Sequence, residues 1–263
     1  DALTSGDNNT AVGHSALSTN AEGLKNTAVG IEALALNQGA SVGTAVGYRA
    51  LYANTTGGSN TAIGNESMVA NTVGYSNTAV GRDSLGANTT GDNHTAIGYG
   101  ALIANTTADS NTAVGHTALA STVSGGYNTA VGYEALNANL AANNTAIGVY
   151  ALKANTTGTR NIAIGHAAYT ASDTEDDNLA IGFQAMTVNT AGGTGNIGIG
   201  NYALDELTSG DFNTSIGLLS GNSMTEAVSS VLLGAGCGAN ITTGDENILI
   251  GRNVGSNNVN LIT

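Results

Sequence analysis

One glycine recurs along the whole chain at an almost fixed interval: Gly13, Gly30, Gly47, Gly64, Gly81, Gly98, Gly115, Gly132, Gly148, Gly165, Gly182, Gly200, Gly217, Gly234 and Gly251. Twelve of the fourteen intervals are 17 residues; Gly132 to Gly148 is 16 and Gly182 to Gly200 is 18. A short fixed period means one supersecondary unit stacked on itself, each copy touching mainly its neighbours. That constraint overrides the one or two globular domains that 263 residues would otherwise suggest.

Aligned on these glycines, the unit reads N-T-A-(V/I)-G-Y-x-A-L-x-A-N-T-T-G-x-x, numbered here as positions 1 to 17, with the recurrent glycine at position 5. Seventeen residues cannot hold two helices and a turn, since one marginal helix already needs roughly 12. The β-branched N-T-A-V step favours extended chain. One coil of a parallel β-solenoid, or β-roll, fits better, with a first strand at N-T-A-V and a second around A-L-x-A. Glycine at position 5, and often at position 15 (Gly57, Gly74, Gly91, Gly158), is expected to supply positive φ. Asparagines at positions 1 and 12 are expected to stack into amide ladders along the solenoid axis, Asn189 among them. Strand alternation puts positions 2 and 4 on one side and positions 1, 3 and 5 on the other. Position 4, always Val, Ile or Leu, reads as core. Position 2 is Thr from Thr10 through Thr145 and mostly aliphatic afterwards, so it faces either the coil interior or a partner chain.

The expected fold is therefore all-β, about fifteen 17-residue coils. Residues 1–217 form the regular solenoid, and residues 218–263 carry variant coils that continue it. After Gly217 the A-L step gives way to Ser220-Gly221 and Cys237-Gly238, which predicts a change of coil cross-section near residues 160–220 and tighter packing beyond. Both ends cut through a repeat, at Asp1-Ala2-Leu3 and at Thr263, as expected of a fragment of a longer chain.

Composition narrows the function. Aromatic residues are 4% and charged residues 10%, with no Trp or Pro, so the core must be thin and aliphatic. The net charge is -13, with six Lys and Arg spread along the chain, which argues against phosphate-mediated nucleic-acid binding. No run of 18 apolar residues is present, so no membrane-inserting helix is expected from this segment. The single cysteine, Cys237, stands where most repeats have Ala and reads as a small buried hydrophobe.

The phrase N-T-A-V/I-G-Y-x-A-L-x-A-N-T-T-G, clearest in Asn60 to Ser76, Asn77 to Asn93 and His94 to Ser110, resembles repeat regions of phage and phage-like tail-fibre proteins, of the type preceding endosialidase-type chaperone domains. The stretch Gly238 to Gly251 is especially similar to them. The A-V/I-G step is also similar to the head repeats of trimeric autotransporter adhesins, whose repeat is shorter. The resemblance implies a homotrimeric fibre on a virion or bacterial surface, extracellular, meeting a cell-surface glycan or protein receptor. No chaperone domain is matched, so no catalytic residues carry over.

No catalytic, cofactor or metal site is expected, and the chain reads as a non-enzyme. Gly192-Gly193-Thr194-Gly195-Asn196 lacks the Asp of a calcium-binding nonapeptide. Asp173, Glu175, Asp176 and Asp177 read as a solvated acidic turn rather than an ion site. His14, His116 and His166 share position 6, a variable edge, and lie in different coils. Tyr48, Tyr99, Tyr133 and Phe183 at the same position are candidate surface contacts that either stack on sugars or cover the neighbouring coil. The Asn-x-Thr sequons at Asn54, Asn88, Asn105 and Asn155 follow from the repeat and are open to glycosylation in a host that performs it. The leading reading is a structural and adhesive fibre segment. The alternatives are an ice-binding solenoid using the Thr10–Thr145 column, or a fibre-borne polysaccharide depolymerase.

Overall fold

The computed structural model describes residues 6–188 and 192–255. Asn189 and the two chain ends, for which the sequence raised expectations, lie outside the described residues. Fifteen three-residue strands occur among them, one per repeat. They are β1 (Thr10–Val12), β2 (Thr27–Val29), β3 (Thr44–Val46), β4 (Thr61–Ile63), β5 (Thr78–Val80), β6 (Thr95–Ile97), β7 (Thr112–Val114), β8 (Thr129–Val131), β9 (Thr145–Ile147), β10 (Ile162–Ile164), β11 (Leu179–Ile181), β12 (Ile197–Ile199), β13 (Thr214–Ile216), β14 (Val231–Leu233) and β15 (Ile248–Ile250). The chain divides into two compact units, residues 1–130 and 131–263, and the division falls within β8. In the first unit β1 to β7 pair in parallel and in chain order, position on position. In the second, β9 to β15 do the same. The fold is thus a parallel β-solenoid, as the period requires.

Two expectations about the coil change. The segment A-L-x-A is not a strand. Positions 7 and 9 hold positive φ, in most coils without glycine, as at Glu66 (φ 53°) and Met68 (φ 51°) or Glu134 (φ 52°) and Leu136 (φ 50°). Alternation between left- and right-handed residues turns successive peptides in opposite directions along the axis. The position 7 N–H donates to the preceding coil, Glu66 to the Tyr48 carbonyl at 2.8 Å, and the position 9 N–H donates to the following one, Met68 to Ser84 at 2.9 Å. The backbone is satisfied between coils without a second ladder. The position 15 glycines have no positive φ; what they provide is closeness. A Cβ on Gly74 would sit 2.5 Å from the Gly91 carbonyl oxygen and 2.6 Å from Asn71 Oδ1.

The inward side of the strand is also reversed. In β2 to β15 the middle residue, position 3, is buried, while positions 2 and 4 are half-buried or exposed. Position 4 is therefore not core. The interior is built from Ala at position 3, Ala or Ser at position 8 and Leu at position 9, as with Ala96, Ala101 and Leu102. Space beside Leu explains why position 3 is so often Ala: a larger side chain there would overpack a thin coil.

The far half of the interior is polar and paired. Along position 12, Asn71 Nδ2 donates to Asn54 Oδ1 and Asn88 Nδ2 to Asn71 Oδ1, both at 2.8 Å, and each amide also donates to its own position 15 carbonyl. Position 1 works differently: Asn60 Oδ1 accepts the Asn77 N–H at 2.9 Å, and Asn60 Nδ2 donates to the Gly74 carbonyl at 2.7 Å. The position 12 ladder ends where the next coil offers no amide. Asn105 is followed by Thr122 and Asn155 by Ser172, and the Oδ1 atoms of Asn105 and Asn155 are left without a partner.

The late coils keep the strand register but exchange their core. Leu232 and Leu249 replace Ala at position 3, Gly221 and Gly238 replace Leu at position 9, and Leu207, Met224 and Ile241 replace Asn at position 12. A Cβ on Gly238 would lie 2.9 Å from Leu232 Cδ1, so the leucine side chain occupies the volume that position 9 gives up. The sequence change after Gly217 is a redistribution of core volume, not a new strand arrangement.

Candidate functional site

The outward side of the strands is the most distinctive surface. Positions 2 and 4 carry Thr, Val, Ile or Leu in every one of the fifteen strands and no charged residue in any. In β1 to β9 the pair is Thr with Val or Ile; in β10 to β12 it is Ile or Leu with Ile. Parallel in-register pairing repeats each side chain at the strand spacing, about 4.8 Å, and makes straight columns.

Position 6 flanks this face. Tyr48, Tyr99, Tyr133 and Phe183 are 39–46% exposed there. Each meets a neighbour. Tyr99 stacks on His116 with ring centroids 5.1 Å apart, and the Arg82 guanidinium lies 5.8 Å from its centroid. In the second unit Tyr133, Tyr150, His166, Phe183 and Tyr202 follow one another at 5.4, 6.2, 5.3 and 5.4 Å. Tyr48 faces the Arg49 guanidinium at 5.4 Å, and Arg49 is held by Glu32 at 2.6 Å. Sugar stacking needs an open ring face. For Tyr99 and Phe183 both directions along the stack are occupied. Tyr150 and Tyr202, at position 7, were missed from the sequence because one-residue offsets hid them from the position 6 column.

The remaining polar clusters are spent locally. Asp176 Oδ1 accepts from the Thr159 N–H at 2.6 Å, and Asp177 binds Arg160 through both oxygens at 2.5 and 2.8 Å. Glu175 departs from the solvated turn expected of it. Its buried carboxylate folds beneath short Ser172 and accepts from Ser172 Oγ and the Asp173 and Thr174 N–H groups at 3.2, 2.8 and 3.0 Å. Among the described residues no three His, Cys, Asp or Glu side chains converge as a metal site, and no helix is long and apolar enough to cross a membrane. His14, His116 and His166 are exposed, as their column suggested, and Cys237 is buried. The sequon asparagines Asn54, Asn88, Asn105 and Asn155 are buried in the position 12 ladder, so the folded chain does not present them for glycosylation.

His94 is the one histidine at position 1. Its Nε2 lies 2.6 Å from the Ala108 carbonyl oxygen and its Nδ1 3.1 Å from the Asn111 backbone nitrogen. A carbonyl requires Nε2–H and an N–H requires a bare Nδ1, so the ring is held neutral. Burial pushes its pKa below the ordinary 6.5, against the weaker pull of the Ala108 and Asn111 hydrogen bonds and of Asp109 and Asp92. A histidine whose folded pKa is depressed binds more protons unfolded, so its contribution is complete above about pH 6.5 and is lost as pH falls toward the folded value. Urea unfolding between pH 7.5 and 5.5 is expected to show stability falling with acid in the native chain. His94→Asn, which restores the repeat residue, flattens that slope; an unchanged slope refutes the assignment.

No family model matches the chain and no curated protein matches it.

Proposed function

We propose that this chain is a structural segment of an attachment fibre, a tail-fibre or adhesin shaft or head, that self-associates as a homotrimer. It spaces or presents a surface toward a glycan or protein receptor outside a virion or bacterial cell, and performs no catalysis itself. The observation that carries the reading is the repeat-by-repeat stacking. Each coil bonds to the coils next to it, so length is added without building a central cleft where reactive groups would meet. The likeness of N-T-A-V-G-Y-x-A-L to fibre repeats supports the same reading. Light scattering on the purified chain tests it: a mass near three times 25.9 kDa is expected, and a folded monomer at high concentration counts against the fibre.

A second reading gains from the outward placement of position 2. The Thr27 to Thr129 column stands beside Val and Ile on the exposed side, not beside the inward Ala, and such a regular neutral face suits ordered water. Thermal hysteresis in solution distinguishes an ice-binding solenoid from a fibre.

A further inference from the structure

We propose that the first unit binds a single buried water where the position 12 amide ladder breaks, between Asn105 Oδ1 and the Thr122 hydroxyl. The water stands where the repeat elsewhere places an amide nitrogen.

The ladder defines the place. Asn71 donates Nδ2 to Asn54 Oδ1, Asn88 to Asn71 and Asn105 to Asn88, each at 2.8 Å. Each Oδ1 in this run therefore turns toward the following coil. The last of them, on fully buried Asn105, has no hydrogen-bond partner within the protein. Flipping the amide does not cure this. The Asn105 oxygen would then face the Asn88 oxygen, so the run of donors fixes the orientation.

A buried amide oxygen loses its solvent on folding and regains nothing unless a donor reaches it. Thr122 falls short. Its hydroxyl is carried on Cβ, one bond nearer the backbone than the nitrogen of an asparagine. Thr also has one side-chain heavy atom fewer than Asn, and one water oxygen makes up the difference.

The hydrogen-bonding groups match as well. A regular position 12 amide spends one N–H on the preceding Oδ1 and the other on its own position 15 carbonyl, as Asn71 does with Gly74 at 3.0 Å. A water offers two O–H groups in the same two directions, toward Asn105 Oδ1 and the Gly125 carbonyl. Gly125 already accepts from Asn111 Nδ2 at 2.9 Å and more distantly from Asn128 Nδ2 at 3.3 Å. The principal partners are thus Asn105 Oδ1 and the Thr122 hydroxyl, which serves as donor or acceptor. Asn88 and the neutral His94 ring, which adjoin the Asn105 amide, carry no charge, so a neutral ligand suits the place better than a cation.

The choice of residue at the break points the same way. Among the described residues the ladder is interrupted after Asn105 by Thr122 and after Asn155 by Ser172, and Asn155 Oδ1 is likewise buried without a partner. Both interruptions keep a hydroxyl, which a bridging water requires on its far side. Leu207, Met224 and Ile241 take the position only in the later coils. At Ser172 the Glu175 carboxylate also enters, 3.2 Å from Oγ, so the Thr122 step is the simpler one to test.

The test is NMR on the full chain carrying isotope-labelled asparagine, reading magnetisation transfer from water to the side-chain amide protons. Asn105 is expected to show a peak with the sign of a long-lived bound water. Asn71, whose oxygen Asn88 occupies, is expected to show none. Thr122→Asn restores the repeat residue and is expected to fold and to abolish the Asn105 peak, because its own Nδ2 takes the place of the water. A crystal structure of the native chain is expected to show one density peak about 2.8 Å from Asn105 Oδ1. No transfer at Asn105 in the folded native chain, an equal peak at Asn71, or a peak undiminished in Thr122→Asn overturns the assignment. So does density in which the Thr122 hydroxyl itself meets Asn105 Oδ1.

Discussion

Gly81→Ala is expected to destabilise the first unit by about 4 kcal/mol, the sum of backbone strain and a main-chain clash at their usual sizes. Gly81 has φ +133°, a region that L side chains rarely adopt, and an added Cβ would stand 2.5 Å from the Gly98 carbonyl oxygen and 2.7 Å from its carbon. Neither neighbour can withdraw, because the Gly98 N–H is itself bonded to the Val80 carbonyl at 2.8 Å. The same change at Gly74 is a stringent comparison. Position 15 needs no positive φ and elsewhere holds Ala40, Ala108 and Ala227, so Gly74→Ala meets the Gly91 carbonyl oxygen at 2.5 Å without the added backbone strain and is expected to cost about 2 kcal/mol. Hydrogen exchange read coil by coil checks both. Gly81→Ala should strip protection from β4 to β6, and equal effects at the two glycines would refute the distinction.

The second large effect is a coupling. Leu232→Ala is expected to cost about 4 kcal/mol, toward the upper end for a buried leucine, because Gly221 and Gly238 beside it have no side chains to fill the cavity. Gly238→Leu alone is expected to cost about 3 kcal/mol by overpacking against Leu232. Together they recreate the Ala-and-Leu arrangement of the regular coils. Leu at position 9 already holds φ near that of Gly238, +67°, elsewhere in the chain, as at Leu102, +53°. The double variant should therefore be more stable than either single one, a coupling of several kcal/mol in a double-mutant cycle. Additive losses would mean that the two positions do not share one volume.

These cases show what was legible beforehand. The recurrent glycine and the β-branched step located every strand, and the asparagine columns announced their ladders, because period and amide chemistry are local properties. The inward side of the strand was not legible from hydrophobicity. Val and Ile at position 4 look like core, but the constraint on volume falls on Ala28, Ala45 and their equivalents, where only a small residue fits beside Leu. Nor could the second segment be read. Leucine carries no signal for positive φ, so Leu34 at 50° and Leu51 at 52° pass for strand residues until inter-coil bonds are seen. The outward aromatic neighbours were half legible: Tyr99 and Phe183 from their column, Tyr150 and Tyr202 only from their ring contacts.

The left-handed residues have one more consequence. Each non-glycine one costs roughly 1–2 kcal/mol in isolation, and a regular coil has three, at positions 7, 9 and 17, such as Glu66, Met68 and Ser76. A lone coil cannot hold them; it takes its shape from the coil it lies against. Growth is then templated, with a slow first pair of coils and rapid addition afterwards. Because every added period repeats the same inheritance, whole coils can be inserted or removed without redesign. The 18-residue step from Leu179 to Ile197 preserves register because its extra residue is absorbed outside the strand. Length becomes a quantity that duplication can set freely, one 17-residue increment at a time.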